Sequence, residues 1–273
     1  SRYYEICLKK GYLDLDTCSN YALILQEQGK KNLAINLYKK SISLYPEDAL
    51  LNFNYGSLLF NIGEFKEAEI WTRNAIKINP EFPQAHFNLG TILKDLGRLE
   101  EAEKSYRKSI EIDPTLAVAH SNLASVLRDL GKLNEAEILI RKAIKLQPDF
   151  VIAHTNLGIT LKDLGRSKEA EIYCRKAIEL NPNYALSHSN LGIILKELGQ
   201  LQESEISCRK AIELQPKVAV YYLNLGDLLM ILAKFDEALL NFEKAAALNQ
   251  DVDLANAKIG RLLLEQGKHI NGL

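Results

Sequence analysis

His86, His120, His154 and His188 stand 34 residues apart, and imidazole is a common zinc ligand. Ligands that share a zinc ion lie about 2 Å from it, whereas equivalent positions on successively packed helices are separated by about 8–10 Å. The four histidines are therefore expected to form a ring of inter-helix packing residues, with Tyr222 taking the same place further along. Ser105-Tyr106-Arg107-Lys108 and Ser207-Cys208-Arg209-Lys210 match Ser-x-x-Lys but lack the companion motifs of an acyl-transfer site. No HExxH, GxGxxG or GxxxxGK[ST] occurs, and the Gly-Lys pairs at 29, 131 and 267 lack the upstream glycine of a phosphate loop. The cysteines Cys7, Cys18, Cys174 and Cys208 form no CxxC, and the 34-residue spacing of Cys174 and Cys208 marks them as equivalent core positions. The expectation is a chain with no catalytic residues, no metal site and no cofactor.

One polar series asks for more than packing. Asn20, Asn54, Asn88, Asn122, Asn156, Asn190 and Asn224 also repeat every 34 residues. Asparagine is a mediocre helix former because its amide competes for backbone partners, so seven of them inside helices need a reason. The amide donates and accepts at once, which lets it pair with a peptide unit whatever side chain that unit carries. Around the asparagines run a basic and an acidic row, Lys94/Asp95, Arg128/Asp129, Lys162/Asp163 and Lys196/Glu197, and an aromatic end at Phe53, Phe60 and Phe87.

The elements that must hold these residues follow from turn chemistry. Pro46, Pro80, Pro114, Pro148, Pro182 and Pro216 are each 34 residues apart, a period that signals helix-turn-helix repeats. With repeats starting at Leu15, Ala49, Pro83, Ala117, Val151, Ala185, Ala219 and Asp253, a glycine falls at repeat position 15 (Gly29, Gly63, Gly97, Gly131, Gly165, Gly199, Gly267), where it can cap a first helix in the left-handed conformation. The proline at position 32 ends a second helix. Small residues at position 8 (Gly56, Gly90, Ala124, Gly158, Gly192, Gly226) and position 20 (Ala68, Ala102, Ala136, Ala170, Ser204, Ala238) let the two helices approach. The seventh repeat departs from the pattern, with Ala233 for the turn glycine and Gln250 for the proline. The domain expectation is the end of a preceding repeat over 1–14, seven repeats over 15–252, and a truncated eighth over 253–273 that holds only a first helix, about 15 helices in all. That first helix, Asp253 to Gln266, would leave Leu262, Leu263 and Leu264 partly uncovered and available for end-to-end self-association.

A 34-residue unit with Gly90, Gly97, Ala102, Ser109 and Pro114 at these positions resembles the tetratricopeptide repeat family, and the resemblance covers nearly the whole chain. The segment Ala119-His120-Ser121-Asn122-Leu123-Ala124-Ser125-Val126-Leu127 is similar to the superhelical repeat arm of protein O-N-acetylglucosaminyltransferases and of bacterial repeat proteins. The resemblance implies an all-α, right-handed α-solenoid whose concave groove is lined by the first helices. It also implies that the asparagine row grips the backbone of an extended peptide there. Family members that clamp a C-terminal carboxylate use Lys at positions where this chain has Phe53, Phe87, Ser121, Thr155, Ser189 and Leu223, which disfavours that specificity.

Composition narrows the partner. Thirty-four basic against 35 acidic residues give a net charge of −1, without the basic footprint of a nucleic-acid or anionic-membrane binder. The apolar runs are shorter than the roughly 18 residues of a membrane span. The start at Ser1 carries no signal-peptide pattern, which suggests a fragment, and the cysteine usage with no Asn-x-Ser/Thr acceptor suggests a cytoplasmic, reducing setting. The functional expectation is a non-enzymatic scaffold that binds a protein or extended peptide. The alternatives are the substrate-recognition arm of a larger transferase and a self-assembling repeat module.

Overall fold

The computed structural model describes residues 15–248 and 252–265. All regular structure among them is helical, in two compact bodies, one ending at Gly131 and the other starting at Lys132. The N-terminal body holds α1 (Leu15–Glu27), α2 (Lys31–Leu44), α3 (Ala49–Asn61), α4 (Phe65–Ile78), α5 (Pro83–Asp95), α6 (Leu99–Ile112) and α7 (Ala117–Asp129). The C-terminal body holds α8 (Leu133–Leu146), α9 (Val151–Asp163), α10 (Ser167–Leu180), α11 (Ala185–Glu197), α12 (Leu201–Leu214), α13 (Ala219–Ile231), α14 (Phe235–Ala247) and α15 (Val252–Glu265). Odd-numbered helices are the first helices of the repeats and even-numbered ones the second. Residues 1–14, 249–251 and 266–273, including Cys7, Gln250 and Gly267, lie outside the described residues.

The helix ends follow the turn chemistry. Gly165 at φ 76° sends its N–H to the Lys162 carbonyl at 2.8 Å, and Arg166 sends its own to Leu161 at 2.8 Å. This is the paired closure that a left-handed C′ residue permits, and it satisfies carbonyls the helix would leave open. Gly29, Gly63, Gly97, Gly131 and Gly199 share the positive φ, and so does Ala233, at 55°. The second helices stop before the prolines, whose predecessors are pushed into extended backbone, Asn79 at φ −127°, ψ 93° and Asn181 at φ −145°, ψ 95°.

Each hairpin closes on its position-8 residue. A Cβ on Gly158 would stand 2.4 Å from Cys174 Sγ, and one on Gly192 would stand 2.5 Å from Cys208 Sγ. The helices are thus as close as backbone allows. Ser204 occurs where the other repeats have alanine and is tolerated because its hydroxyl donates to the Gly192 carbonyl at 2.6 Å. In the N-terminal body the core is built on Tyr38, Tyr55, Leu51, Leu58 and Leu59, with the two tyrosine rings stacked at 5.6 Å. In the C-terminal body a cluster forms around Leu225, Leu228, Leu229 and Phe242 and takes in Ala255 and Leu262 from α15. Of the three leucines expected to be partly uncovered, Leu262 is instead sealed, Leu263 is partly covered and Leu264 is left 68% exposed.

Candidate functional site

The asparagines lie on the first helices as the spacing required, and their surroundings divide them. In the N-terminal body Asn20 is exposed and Asn54, Asn88 and Asn122 are half-buried. Asn88 donates from Nδ2 to Ser57 Oγ at 2.8 Å, and Asn122 bonds the Tyr106 hydroxyl. In the C-terminal body Asn224 donates to Ser189 Oγ at 3.0 Å, while Asn190 is only 7% exposed. Asn54 and Asn190 make no side-chain hydrogen bond with any described residue. Asn156 is engaged within the protein. Asn88 and Asn224 each spend one donor of their two in these bonds. Burial pushes the Tyr106 phenol up to about 12, against the hydrogen bonds of Thr91 and Asn122, so its hydroxyl stays a neutral partner for both.

The charged rows are largely internally matched. Lys94 donates to Ser125 Oγ at 2.8 Å, Lys162 pairs with Asp163 at 2.9 Å, and Arg128 lies 3.5 Å from Asp129. Asp95 and Glu197 are exposed, and Lys196 is half-buried. Lys196 lines a hollow of about 290 Å3 with Asp227, Met230, Phe242, Lys258 and Arg261. Lys258, which pairs with Asp227 at 2.5 Å, occupies in α15 the repeat position that holds asparagine elsewhere. Of the aromatic end, Phe53 packs on Phe82 at 4.9 Å and Phe87 on Tyr106 at 5.6 Å, and Phe60 packs on Phe65 at 5.5 Å.

The histidines have a sharper role than packing. His86, His120, His154 and His188 each place Nε2 2.8 to 3.0 Å from the carbonyl oxygen of Pro80, Pro114, Pro148 and Pro182, the proline six residues earlier. Asn52 Nδ2 does the same to Pro46 at 3.2 Å, and the Tyr222 hydroxyl to Pro216 at 3.0 Å. The shared requirement is a side-chain donor that ties the inter-repeat turn to the next first helix. The signal was legible as a donor six residues after every proline in the series. No group of three or more His, Cys, Asp and Glu among the described residues is placed to hold a metal ion.

On the second helices the i,i+4 pairs form half of a larger lattice. Arg141 reaches Glu137 at 2.9 Å and Glu169 of the next repeat at 2.6 Å, while Arg166 returns to Glu137 at 2.8 Å and also pairs with Glu169. Arg73, Glu69, Glu101 and Arg98 repeat the arrangement in the N-terminal body. Hydrogen bonds from Arg141 and Arg166 hold the Glu169 carboxyl below the usual range. Burial alone would raise the Glu205 carboxyl, but Arg209 and Lys234 hold it low. Cys174 and Cys208 are sealed thiols, pushed up by burial to about 12 and about 11, the latter against its contact with the Ser204 side chain. Thiols held so far from ionisation are poor nucleophiles. No described helix is long and apolar enough to cross a membrane.

Comparison with known proteins agrees with this geometry. Three family models described as tetratricopeptide repeat match, at residues 83–116 and 151–184, at 37–70, 105–138 and 173–206, and at 15–48 and 219–252. No curated protein matches the chain by sequence. Among solved structures, the chain is similar to one in the APC/C hetero-tetramer Cut9-Hcn1 at 16% identity and a TM-score of 0.78. The match covers 94% of this chain but spans only about half, 51%, of that one. A tetratricopeptide repeat protein from Parabacteroides merdae is 17% identical with a TM-score of 0.77, over 96% of this chain and 100% of its own. A thermophilic counterpart from Thermus thermophilus is 24% identical with a TM-score of 0.61, over 67% of this chain and 100% of its own. Identities this low speak to fold alone.

Proposed function

The chain belongs to the tetratricopeptide repeat family, whose members are in general protein-binding scaffolds, and from that premise we propose that it binds an extended polypeptide along the asparagine-bearing face of its first helices. The observation that carries the reading is the state of the amides. Asn54 and Asn190 have no protein hydrogen-bond partner among the described residues, and Asn88, Asn122 and Asn224 keep unused donors or lone pairs beside them. A helix gains nothing from an unpartnered asparagine, since alanine is the better helix former. An outside peptide unit supplies what the amide lacks. Basic and acidic residues alternate beside the row, and Lys162 and Arg128 pair with their acidic neighbours, so the partner needs no strong net charge of its own. Cut9 belongs with Hcn1 to a hetero-tetramer, and protein partnership of that general kind is what the repeats of this chain are built to offer.

The test begins by selecting binders from a library of random ten-residue peptides and titrating the best of them. Asn54→Ala and Asn190→Ala should each leave the melting temperature unchanged. The one that lies in the bound half should weaken binding by about 0.5 to 1.5 kcal/mol for each hydrogen bond lost. Selected peptides whose affinity ignores both substitutions, together with melting temperatures that fall, would make the row a structural device.

A further inference from the structure

The second helices carry a groove that repeats from one unit to the next, and its size differs between units. Between α10 and α12 it measures about 710 Å3 and is lined by Arg175, Ile178, His188, Leu191, Ile206 and Ser207. One repeat later, between α12 and α14, the equivalent residues are Arg209, Ile212, Tyr222, Leu225, Leu240 and Asn241, and the space falls to about 330 Å3. In the N-terminal body the corresponding groove beside Asn52 holds Trp71 and measures about 370 Å3. Ser207, like Ser105 in the third repeat, is thus a small residue where Leu37, Trp71, Leu139, Tyr173 and Asn241 are larger.

The repeat immediately before shows what belongs in the space. There the residue equivalent to Ser207 is Tyr173, whose ring stacks on His154 with centroids 6.1 Å apart and planes 26° apart. The Arg141 guanidinium carbon lies over that ring, 5.5 Å from its centroid, and Nη1 donates to the hydroxyl at 2.8 Å. The same frame stands empty of a ring one repeat on. His188 is fixed by its bond to the Pro182 carbonyl at 2.8 Å, as His154 is by Pro148. Arg175 spends Nε on Glu171 at 2.9 Å and Nη2 on Glu203 at 2.7 Å, which leaves Nη1, the nitrogen Arg141 uses on Tyr173, without a partner among the described residues. Stacked and cation-facing rings are favourable beyond the area they bury.

We infer that the groove at His188, Ser207 and Arg175 is a docking site for a tyrosine side chain of a partner polypeptide. The ring stacks on His188 in the place Tyr173 takes on His154, and its hydroxyl accepts from Arg175. A polypeptide is the occupant because the apolar surface continues past the hole: Ile172, Ile206 and Leu240 are 64%, 69% and 50% exposed beside it. A free phenol covers none of them, whereas residues flanking a tyrosine can. The site is on the second helices and does not depend on the asparagine row.

The experiment follows the imidazole proton resonances of the 273-residue chain by NMR as N-acetyl-tyrosine amide is added, with N-acetyl-leucine amide as the control. The His188 resonance should shift with the tyrosine probe and not with the leucine probe, and the His154 resonance, whose ring is already covered, should stay still. Ser207→Tyr should fill the groove from within, abolish the response and raise the melting temperature by about 2 to 4 °C. A Leu-Tyr-Leu peptide blocked at both ends should bind at least about ten-fold more tightly than the single blocked tyrosine. An unmoved His188 in the wild type, or equal shifts with both probes, overturns the site whether or not the Ser207→Tyr chain folds. A folded Ser207→Tyr chain that still responds does the same. Equal affinity for peptide and single residue overturns the polypeptide and leaves a free phenolic ligand.

Discussion

The sixth and seventh repeats solve the same problems with different residues. Gly192 meets Cys208 in the sixth, and Gly226 meets Phe242 in the seventh. His188 ties the Pro182 carbonyl in the sixth, and Tyr222 ties Pro216 in the seventh. The first helix turns at Gly199 with φ 76° in one and at Ala233 with φ 55° in the other. What the repeat conserves between its own copies is therefore a set of atomic demands: a missing Cβ, a donor within reach of a carbonyl, a positive φ. Residue type is free wherever another side chain meets the demand.

The largest effect should come from restoring the missing Cβ. On Gly192 it would meet one sulfur at 2.5 Å and the Ser204 carbonyl at 3.3 Å. On Gly226 it would meet three atoms of the sealed Phe242 ring at 2.4, 2.7 and 2.9 Å. Overpacking a tight core costs about 1 to 3 kcal/mol, so Gly192→Ala should fall within that range and Gly226→Ala at or above its top. Denaturant unfolding of the two variants checks the order. Adding Cys208→Ala to Gly192→Ala removes the sulfur, so the double variant should be more stable than the sum of the single effects requires. Additivity would mean that the sulfur is not the obstacle.

These contrasts also show where the sequence could be read and where it could not. Helix number and ends were legible because proline and glycine act locally: Pro182 and Gly165 impose their backbone whatever lies around them. The asparagine row was legible as a series, since Asn88 and Asn190 share a repeat position. Which amides are occupied was not, because Asn88 meets Ser57 from 31 residues away and Asn190 meets nothing comparable. The inter-repeat half of the ion lattice, such as Arg141 to Glu169, was hidden for the same reason. The groove at Ser207 is a property of absence, a serine read against Tyr173 and Trp71, and it acquires meaning only once α10 and α12 are packed together.

The donor exchange predicts the next largest effect. Tyr222→Phe keeps the ring and removes the bond to the Pro216 carbonyl at 3.0 Å, which should cost about 0.5 to 1.5 kcal/mol. Tyr222→His should recover most of that loss, since histidine makes the same tie at Pro182. Thermal unfolding of the two variants side by side decides it. Equal losses would mean that the tyrosine ring, rather than its hydroxyl, holds the turn.

The smallest effect concerns the turn at Ala233, and its sign is opposite. An L-residue in the left-handed region costs about 1 to 2 kcal/mol because its Cβ crowds the following carbonyl, and Ala233 bears that cost at φ 55°. The turn still closes as in the other repeats, with Ala233 N–H on Met230 at 3.1 Å and Lys234 N–H on Leu229 at 2.9 Å. Glycine there would relieve the crowding but lose more chain entropy on folding, a penalty of about 0.5 to 1 kcal/mol. The difference leaves Ala233→Gly stabilising by about 0.5 to 1 kcal/mol. Gly199→Ala should destabilise the sixth repeat by a similar amount, since nothing stands within 4 Å of the Cβ it would gain and only the backbone is strained. Hydrogen exchange at the Lys234 and Gln200 amides would localise both effects to their own turns. An Ala233→Gly chain that exchanges faster at Lys234 than the parent would show that alanine is held there by contacts worth more than its strain.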